Sequence, residues 1–287
     1  MSQGYVVTAD NLEYIKTFPS GKFECIYIDP PFNTGRKQTR HTVQSVRSRT
    51  GKGNKGFGGA KYINIELGQK SYDDIYANYN EFIKERLVVA RDLLNVHGTF
   101  YFHIDYREAH YVKVMLDYIY GRDNFLNEII WAYDYGAKSK KKWPAKHDTI
   151  LVYVKDRSKY IFNVDAIDRI PYAAPGLAGP EKALKGKLPT DVWFHTIVPT
   201  NGKEKTGYPT QKPLGIVERM IKASTNEHGR VMDFFAGSGT TGQACLNLNR
   251  QFVLVDSNSS AISTMKARFK SNDVKFVTRK SQWVQTY

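Results

Sequence analysis

Cysteine is nearly absent. Cys25 and Cys245 are the only two in 287 residues, both lie within apolar segments, and neither has a partner at metal-ligand spacing. The expectation is two reduced core thiols in a cytosolic protein, with no disulfide framework and no metal cluster. No apolar run approaches the length of a membrane span. The first residues, Met1-Ser2-Gln3-Gly4, lack a basic stretch followed by an apolar one, so no signal peptide is expected. Internal repeats and coiled-coil heptads are missing too. Acid is scarce: 28 Asp plus Glu stand against 42 Lys plus Arg, a formal charge of +14. An imbalance of that size points to a polyanionic partner, nucleic acid first.

Hydrophobic content of 41% and charged content of 24% are those of an ordinary globular chain. "YVVT" (5–8), "FECIYI" (23–28), "TFYFHI" (99–104), "FLNEIIWAY" (125–133), "RVMDF" (230–234) and "QFVLVD" (251–256) read as strands. Helical spacing recurs in "DNLEYIKTF", capped by Asp10, in the stretch from Tyr72 to Gly98, in "YREAHYVKVMLDYIYG", in "QKPLGIVERMIKAST", in "GQACLNLN" and in "NSSAISTMKARFK". Strands alternating with helices predict an α/β fold on a mostly parallel sheet.

Two stretches break that rhythm. From Arg36 to Lys70 no period is visible, and nine basic residues (Arg36, Lys37, Arg40, Arg47, Arg49, Lys52, Lys55, Lys61 and Lys70) face one acid, Glu66, with glycines clustered at 51, 53, 56, 58 and 59. This reads as a long basic loop. Residues 136–207 hold the basic "GAKSKKKWPAKH", two plausible strands in "DTILVYVK" and "YIFNV", and a Pro- and Gly-rich stretch, and they read as an insertion or small second domain. The remainder, 1–135 and 208–287, reads as one composite domain.

The chemistry concentrates in two turns. "VMDFFAGSGTTGQACLNLNRQFVLVD" is a strand, a glycine turn, a helix and a strand ending on Asp256. Gly237 and Gly239 allow a tight turn and close backbone approach, the helix start offers free N–H groups, and the terminal acid can accept ribose hydroxyls. The turn lacks the lysine of a P-loop, while its G-S-G-T-T-G spacing leaves a dinucleotide open. The second turn, "DPPF" (29–32), ends the strand "CIYI". In a parallel sheet it would face the glycine turn. An exocyclic amine is a poor nucleophile because its lone pair is delocalised into the ring. A carboxylate oxygen from Asp29 and the carbonyl of Pro30 can accept its two hydrogens, Pro30 and Pro31 stiffen the turn, and Phe32 can stack on the base. A plain strand-ending turn would use the same residue types.

"DPPF" together with "DFFAGSGTTG" resembles the S-adenosylmethionine-dependent DNA amino-methyltransferases, in the motif order of their beta class. The form "DPPFNTG" is similar to type III modification subunits and solitary adenine methyltransferases. "TFYFHID", "IIWAYDYG", "KHDTILVYVKD" and "YPTQKPLGIVERMIKAS" are similar to further family segments, so the resemblance spans most of the chain outside 36–70 and 160–190. It implies a seven-stranded Rossmann-like sheet with helices on both faces, a permuted motif order and an inserted target-recognition region at 136–207. It implies catalytic roles for Asp29, Pro30, Pro31 and Phe32. It implies cofactor contacts from Asp10, Asn11, Asp29, Lys212, Asp233, Phe235, Ala236, Gly237, Ser238, Gly239, Thr240 and Asp256. Asp10 is equally a helix N-cap and Lys212 equally a solvated lysine at a helix start, whereas His147 reads as structural. Phe32 stands where tyrosine is frequent in the family; a phenyl ring still stacks.

The reaction implied is methyl transfer from S-adenosylmethionine to the N6 amine of adenine in double-stranded DNA, with the base flipped out and no metal. Cytosine-N4 enzymes of the family often carry Ser at the Asp29 position, which favours adenine. Cytosine-N4 or RNA methylation, and a non-catalytic DNA-binding protein on the same fold, are the alternatives. Arg36, Lys37, Arg40, Arg47, Arg49, Lys138, Lys140, Lys141, Lys142 and Trp143 are the expected DNA contacts. The resemblance also allows a homodimer, a cognate restriction nuclease and a place on the nucleoid in the prokaryotic cytosol.

Overall fold

The structure is a computed structural model that describes all residues except 1, 2, 49, 51, 52, 56–58, 73, 75, 137, 200, 271, 272 and 279–287, with the backbone alone for 39–44 and 67–72. Its strands are β1 (Gly4–Thr8), β2 (Phe23–Ile28), β3 (Gln38–Arg47), β4 (Asn54–Lys55), β5 (Lys61–Tyr72), β6 (Leu94–Ile104), β7 (Phe125–Ala132), β8 (His147–Val154), β9 (Val192–Phe194), β10 (Arg230–Asp233), β11 (Gln251–Asp256) and β12 (Val274–Thr278). The helices are α1 (Asn11–Ile15), α2 (Tyr79–Leu93), α3 (Ala109–Tyr120), α4 (Pro175–Ala178), α5 (Pro180–Lys185), α6 (Leu214–Ser224), α7 (Thr240–Asn247) and α8 (Ser259–Arg268).

The main sheet runs β12-β1-β11-β10-β2-β6-β8-β7-β9. Every pair from β12 to β6 is parallel, and β8 lies antiparallel to both β6 and β7. Among the described residues nine strands therefore stand where seven were expected. The additions are at the two edges, β12 beside β1 and the three-residue β9 beside β7. Short edge strands carry too few residues to show a period.

Both faces of the sheet are covered, and β2 shows how. Phe23, Ile26 and Ile28 join the core packed by α1, α2 and α3, while Cys25 and Tyr27 join the core packed by α6, α7 and α8. A strand buried on both sides reads as a continuous apolar run, as "CIYI" does. Both cysteines are reduced and buried in the second core. Within α2, Ile83, Leu87, Ala90 and Leu93 form the inward stripe. This helix begins only at Tyr79, capped by Asn78, and ends at Leu93, where β6 starts at once. The longer helix expected from Tyr72 is thus shortened at both ends; Ile75 lies outside the described residues.

The basic loop is a hairpin. β3 and β5 pair antiparallel from Gln38↔Tyr72 to Arg47↔Tyr62, with one irregularity between Thr42 and Val43, and β4 adds to the tip of β5. The two strands pair with each other and not with the core, so no apolar alternation marks them; Val46, Ile63 and Ile65 are exposed. In the 136–207 region β8 belongs to the main sheet, its middle buried. "YIFNV" forms no strand: residues 160–163 carry no ladder, and Val164–Ala166 is a single 3-10 turn.

Candidate active site

A cavity of about 680 Å³ opens at the carboxyl ends of β1, β2, β10 and β11. That is where an open α/β sheet binds its ligands. The register Val231↔Cys25 and Met232↔Ile26 sets β10 beside β2, so the two turns read from the sequence meet there. In a chain of charge +14 the cavity is acidic. Asp10, Asp29, Asp74, Asp105, Asp148, Asp233 and Asp256 line it, against Arg86, Arg107, Lys205 and Lys212.

The glycine turn is built largely from its own residues. Asp233 ends β10, accepts the Phe235 N–H at 3.0 Å and the Thr241 hydroxyl at 2.6 Å, and thereby closes the turn onto α7. Burial foremost pushes its carboxyl up to about 7 in spite of those bonds. Gly237 and Gly239 have φ of 48° and 74°, the left-handed region that favours glycine. A Cβ on Gly239 would also meet Met265 Cγ at 2.8 Å. Gly242 serves packing, since a Cβ there would meet Leu254 Cδ1 at 2.8 Å. Ala236, Ser238 and Thr240 complete the wall. Arg268, which sequence reasoning missed, donates to the Ser238 carbonyl at 2.9 Å and to Thr240 Oγ1 at 3.2 Å.

Asp256 ends β11 facing the same turn. Its Oδ2 accepts the Gly237 N–H and its Oδ1 the Asn258 N–H, each at 2.8 Å, and burial raises its pKa. Asp10 caps α1 by accepting the Glu13 N–H at 3.0 Å and still lines the cavity. Asn11 donates to the Phe234 carbonyl at 2.8 Å and accepts from Arg86 Nε at 2.8 Å, tying α1 to the end of β10.

The catalytic turn is held from outside. Asp74, itself buried, accepts the Asn33 N–H at 2.7 Å, the Thr34 N–H at 3.2 Å, the Thr34 hydroxyl and the Gln38 amide at 3.2 Å. Asn33 sits at φ 54°, and its side chain donates to Glu108 at 2.9 Å. Pro30 is buried; Pro31 and Phe32 are half-buried on the cavity wall. Lys212 brings its Nζ to 3.1 Å from Asp29 Oδ1, 3.5 Å from Asp148 Oδ2 and 4.6 Å from the centre of the Phe32 ring. It is a buried ion-pair partner, and the solvated reading falls away. Sequence reasoning missed Asp74, Asp148, His103 and Tyr133. Of these, His103, Tyr133 and Asp148 stood inside quoted segments with no local sign that they would meet.

The expected DNA contacts lie apart from these residues. Arg36 and Lys37 are exposed where the chain leaves the catalytic turn, Arg40 and Arg47 lie on β3, and Arg49 falls outside the described residues. Lys138, Lys140, Lys141 and Lys142 are exposed, and Trp143 is 96% exposed. His147 begins β8 opposite Ala132 and does not line the cavity.

A parallel sheet with one reversed strand near its end, a glycine turn on one strand and an acid-proline turn on the next define a Rossmann-like methyltransferase fold. The chain belongs to the DNA methylase family of N6- and N4-amino methyltransferases, whose family model matches residues 23–267. It is 28% identical over 266 residues to the Type II methyltransferase M.HpaI of Haemophilus parainfluenzae, covering 93% of this chain and 74% of that one. It is 26% identical over 270 residues to the DNA adenine methyltransferase YhdJ of Escherichia coli strain K12, covering 90% and 79%. In fold it is similar to the crystal structure of the M1.HpyAVI–SAM complex, with a TM-score of 0.60 at 22% identity over 93% of this chain and 100% of that one.

Proposed function

We propose that this chain transfers a methyl group from S-adenosylmethionine to the N6 amine of adenine in duplex DNA. The observation that carries the reading is the shared cavity: Asp29 and Phe32 line one wall, the glycine turn and Asp256 another. Its volume lies within the range of about 300–1,000 Å³ typical of small-molecule sites. The cofactor fits the residues present. The side-chain-free backbone at Gly237 gives room for close approach, Asp256 and Asp10 offer carboxylates to hydroxyl and amino groups, and the excess of aspartate over basic side chains suits a cation, while Gly239 faces Met265 and does not line the cavity. Bound there, S-adenosylmethionine supplies an electrophilic methyl group on a positively charged sulfur.

The protein's part is to hold the amine in line with that methyl. The target adenine leaves the duplex, and Phe32 takes its face. Asp29 and the Pro30 carbonyl accept the two amine hydrogens, which concentrates the lone pair on nitrogen. With the cofactor bound, its methyl carbon would pass to N6 with the bonding pair left on sulfur, and Asp29 would take the amine proton. Orientation carries much of the rate. The exposed cations of the hairpin and of residues 138–146 bind phosphates, with Trp143 against a base or sugar. The family resemblance extends the reading to a homodimer, a target-recognition role for 136–207, a cognate nuclease, and the nucleoid as the place of action.

Methylated DNA digested to nucleosides tests the base assignment. Mass spectrometry should find N6-methyladenine. N4-methylcytosine alone would overturn the choice of base, and no methylated base would overturn the activity.

A further inference from the structure

Behind Asp29 lies a chain of buried polar groups that the reaction as written does not use. Asp29 Oδ1 is closed off from solvent and accepts no hydrogen bond; Lys212 Nζ, 3.1 Å away, approaches it as an ion-pair partner off the hydrogen-bond angle. The exposed part of the Asp29 carboxyl is therefore its other oxygen, Oδ2, on the cavity side. Lys212 is held in turn by Asp148 Oδ2 at 3.5 Å. Asp148 accepts from His103 Nε2 at 3.1 Å and from the Tyr133 hydroxyl at 3.3 Å. His103, fully buried, closes the chain with Nδ1 at 3.0 Å from the Tyr27 hydroxyl.

The partners fix the direction of each bond. Burial pushes the Tyr27 phenol well up, so it keeps a proton to donate. Burial alone would also raise Asp148, but the Lys212 charge and the His103 hydrogen bond override it and hold the carboxyl at about 2, so it only accepts. His103 thus accepts at Nδ1 and donates from Nε2. The ammonium of Lys212 sits between two carboxylates, one in the catalytic turn and one on β8, with the Phe32 ring against it.

We infer that Asp148, oriented by His103, is a positioning residue for methyl transfer: it anchors the Lys212 ammonium against Asp29 Oδ1, which turns Asp29 Oδ2 toward the amine. The inference rests on the proposed N6 methylation. A carboxylate free to rotate would offer either oxygen to either neighbour. Here one oxygen is committed, so the other is set before the base arrives, and the reorganisation cost is met in folding rather than at the moment of reaction. Without Asp148, Lys212 would lose one of the two carboxylates it bridges, bear more fully on Asp29 and compete with the amine.

A double-mutant cycle isolates the coupling. Asp148→Asn keeps the shape and removes the charge. Under single turnover on duplex DNA it should slow methyl transfer about 10- to 100-fold, with the affinities for S-adenosylmethionine and DNA within about threefold of the parent. Lys212→Met should slow transfer at least as much. The decisive comparison is Asp148→Asn in the Lys212→Met background, where its effect should vanish. His103→Gln, a second route to the same anchor, should show a smaller loss that also vanishes there. If either effect multiplies with that of Lys212→Met, the residue acts on the fold or the cavity independently of Lys212, and the inference is overturned. Unchanged transfer rates in both single variants overturn it as well. The parent enzyme's nucleoside product, measured alongside, separates this from failure of the proposed reaction: a parent that yields no N6-methyladenine refutes the reaction, whereas an active parent with multiplying effects refutes the anchor alone.

Discussion

The two turns that meet in the cavity are built in opposite ways. The cofactor-side turn closes on itself: Asp233 bonds residues two and eight positions along, and Asp256 reaches back from the next strand. The catalytic turn borrows its supports from Asp74, Glu108 and Lys212, on the far side of a hairpin, beside α3 and at the start of α6. Self-contained turns can be recognised in a sequence window. Turns stabilised by distant partners keep their chemistry local and their geometry remote.

The sharpest contrast should come from Asp29→Ala. Turnover should fall by about three orders of magnitude or more, while binding of DNA and S-adenosylmethionine holds; a near-normal rate would remove Asp29 from the reaction. Next in size is Asp74→Ala, which leaves several part-buried donors without their acceptor and should cost about 2–3 kcal/mol of stability. Urea unfolding reads the loss. Turnover should drop with it while cofactor affinity stays, and a matching loss of cofactor binding would mean that the two turns are not independent. Asp256→Ala, on the other side of the comparison, should weaken S-adenosylmethionine binding by about 1–3 kcal/mol with little change in DNA affinity. Calorimetry decides. Replacing Arg36, Lys37, Arg40, Arg47 and Arg49 with Gln should weaken DNA binding and flatten its salt dependence, leaving cofactor affinity alone. An unaltered salt slope would detach the hairpin from the phosphates.

The pH dependence of the comparison concerns Asp233. Its folded pKa of about 7 lies above the ordinary carboxylate value near 4. Between those values the folded state holds a proton that the unfolded chain has released, so stability falls as pH rises from about 4 to about 7. Asp233→Asn should remove that slope. Its melting temperature relative to the parent should rise across this window and level off above it; a constant difference would put the proton elsewhere.

The contrast between the turns also explains what could be read from the sequence. "MDFFAGSGTTG" carries its strand end and the turn glycines Gly237 and Gly239 within one window, and the strand and the tight turn stand as read, whereas the packing of Gly242 against Leu254 left no sign there. The continuous run in β2 announced a strand covered on both faces. The hairpin gave no such signal, because apolar alternation records burial against a core and the described side chains at 45–47 and 61–66 bury little. The false start of α2 has a related cause: the segment before Tyr79 holds apolar residues near helical spacing, but Asp74 within it is drawn onto the catalytic turn. The partners of Lys212 were hidden for the plainest reason. His103, Asp148 and Lys212 come from three distant parts of the chain, and only the pairing of β6 with β8 brings the first two together.

The two thiols offer a clock. Both lie in the core beneath α6, α7 and α8, and burial pushes Cys25 up to about 12 and Cys245 well above its ordinary value. A thiol in that state is inert to alkylating reagents until its layer opens. The opposite core contains no cysteine. The labelling rate in native buffer therefore times the opening of one face of the molecule alone, and its slowing by added cofactor would measure how far ligand binding at the rim reaches into that layer.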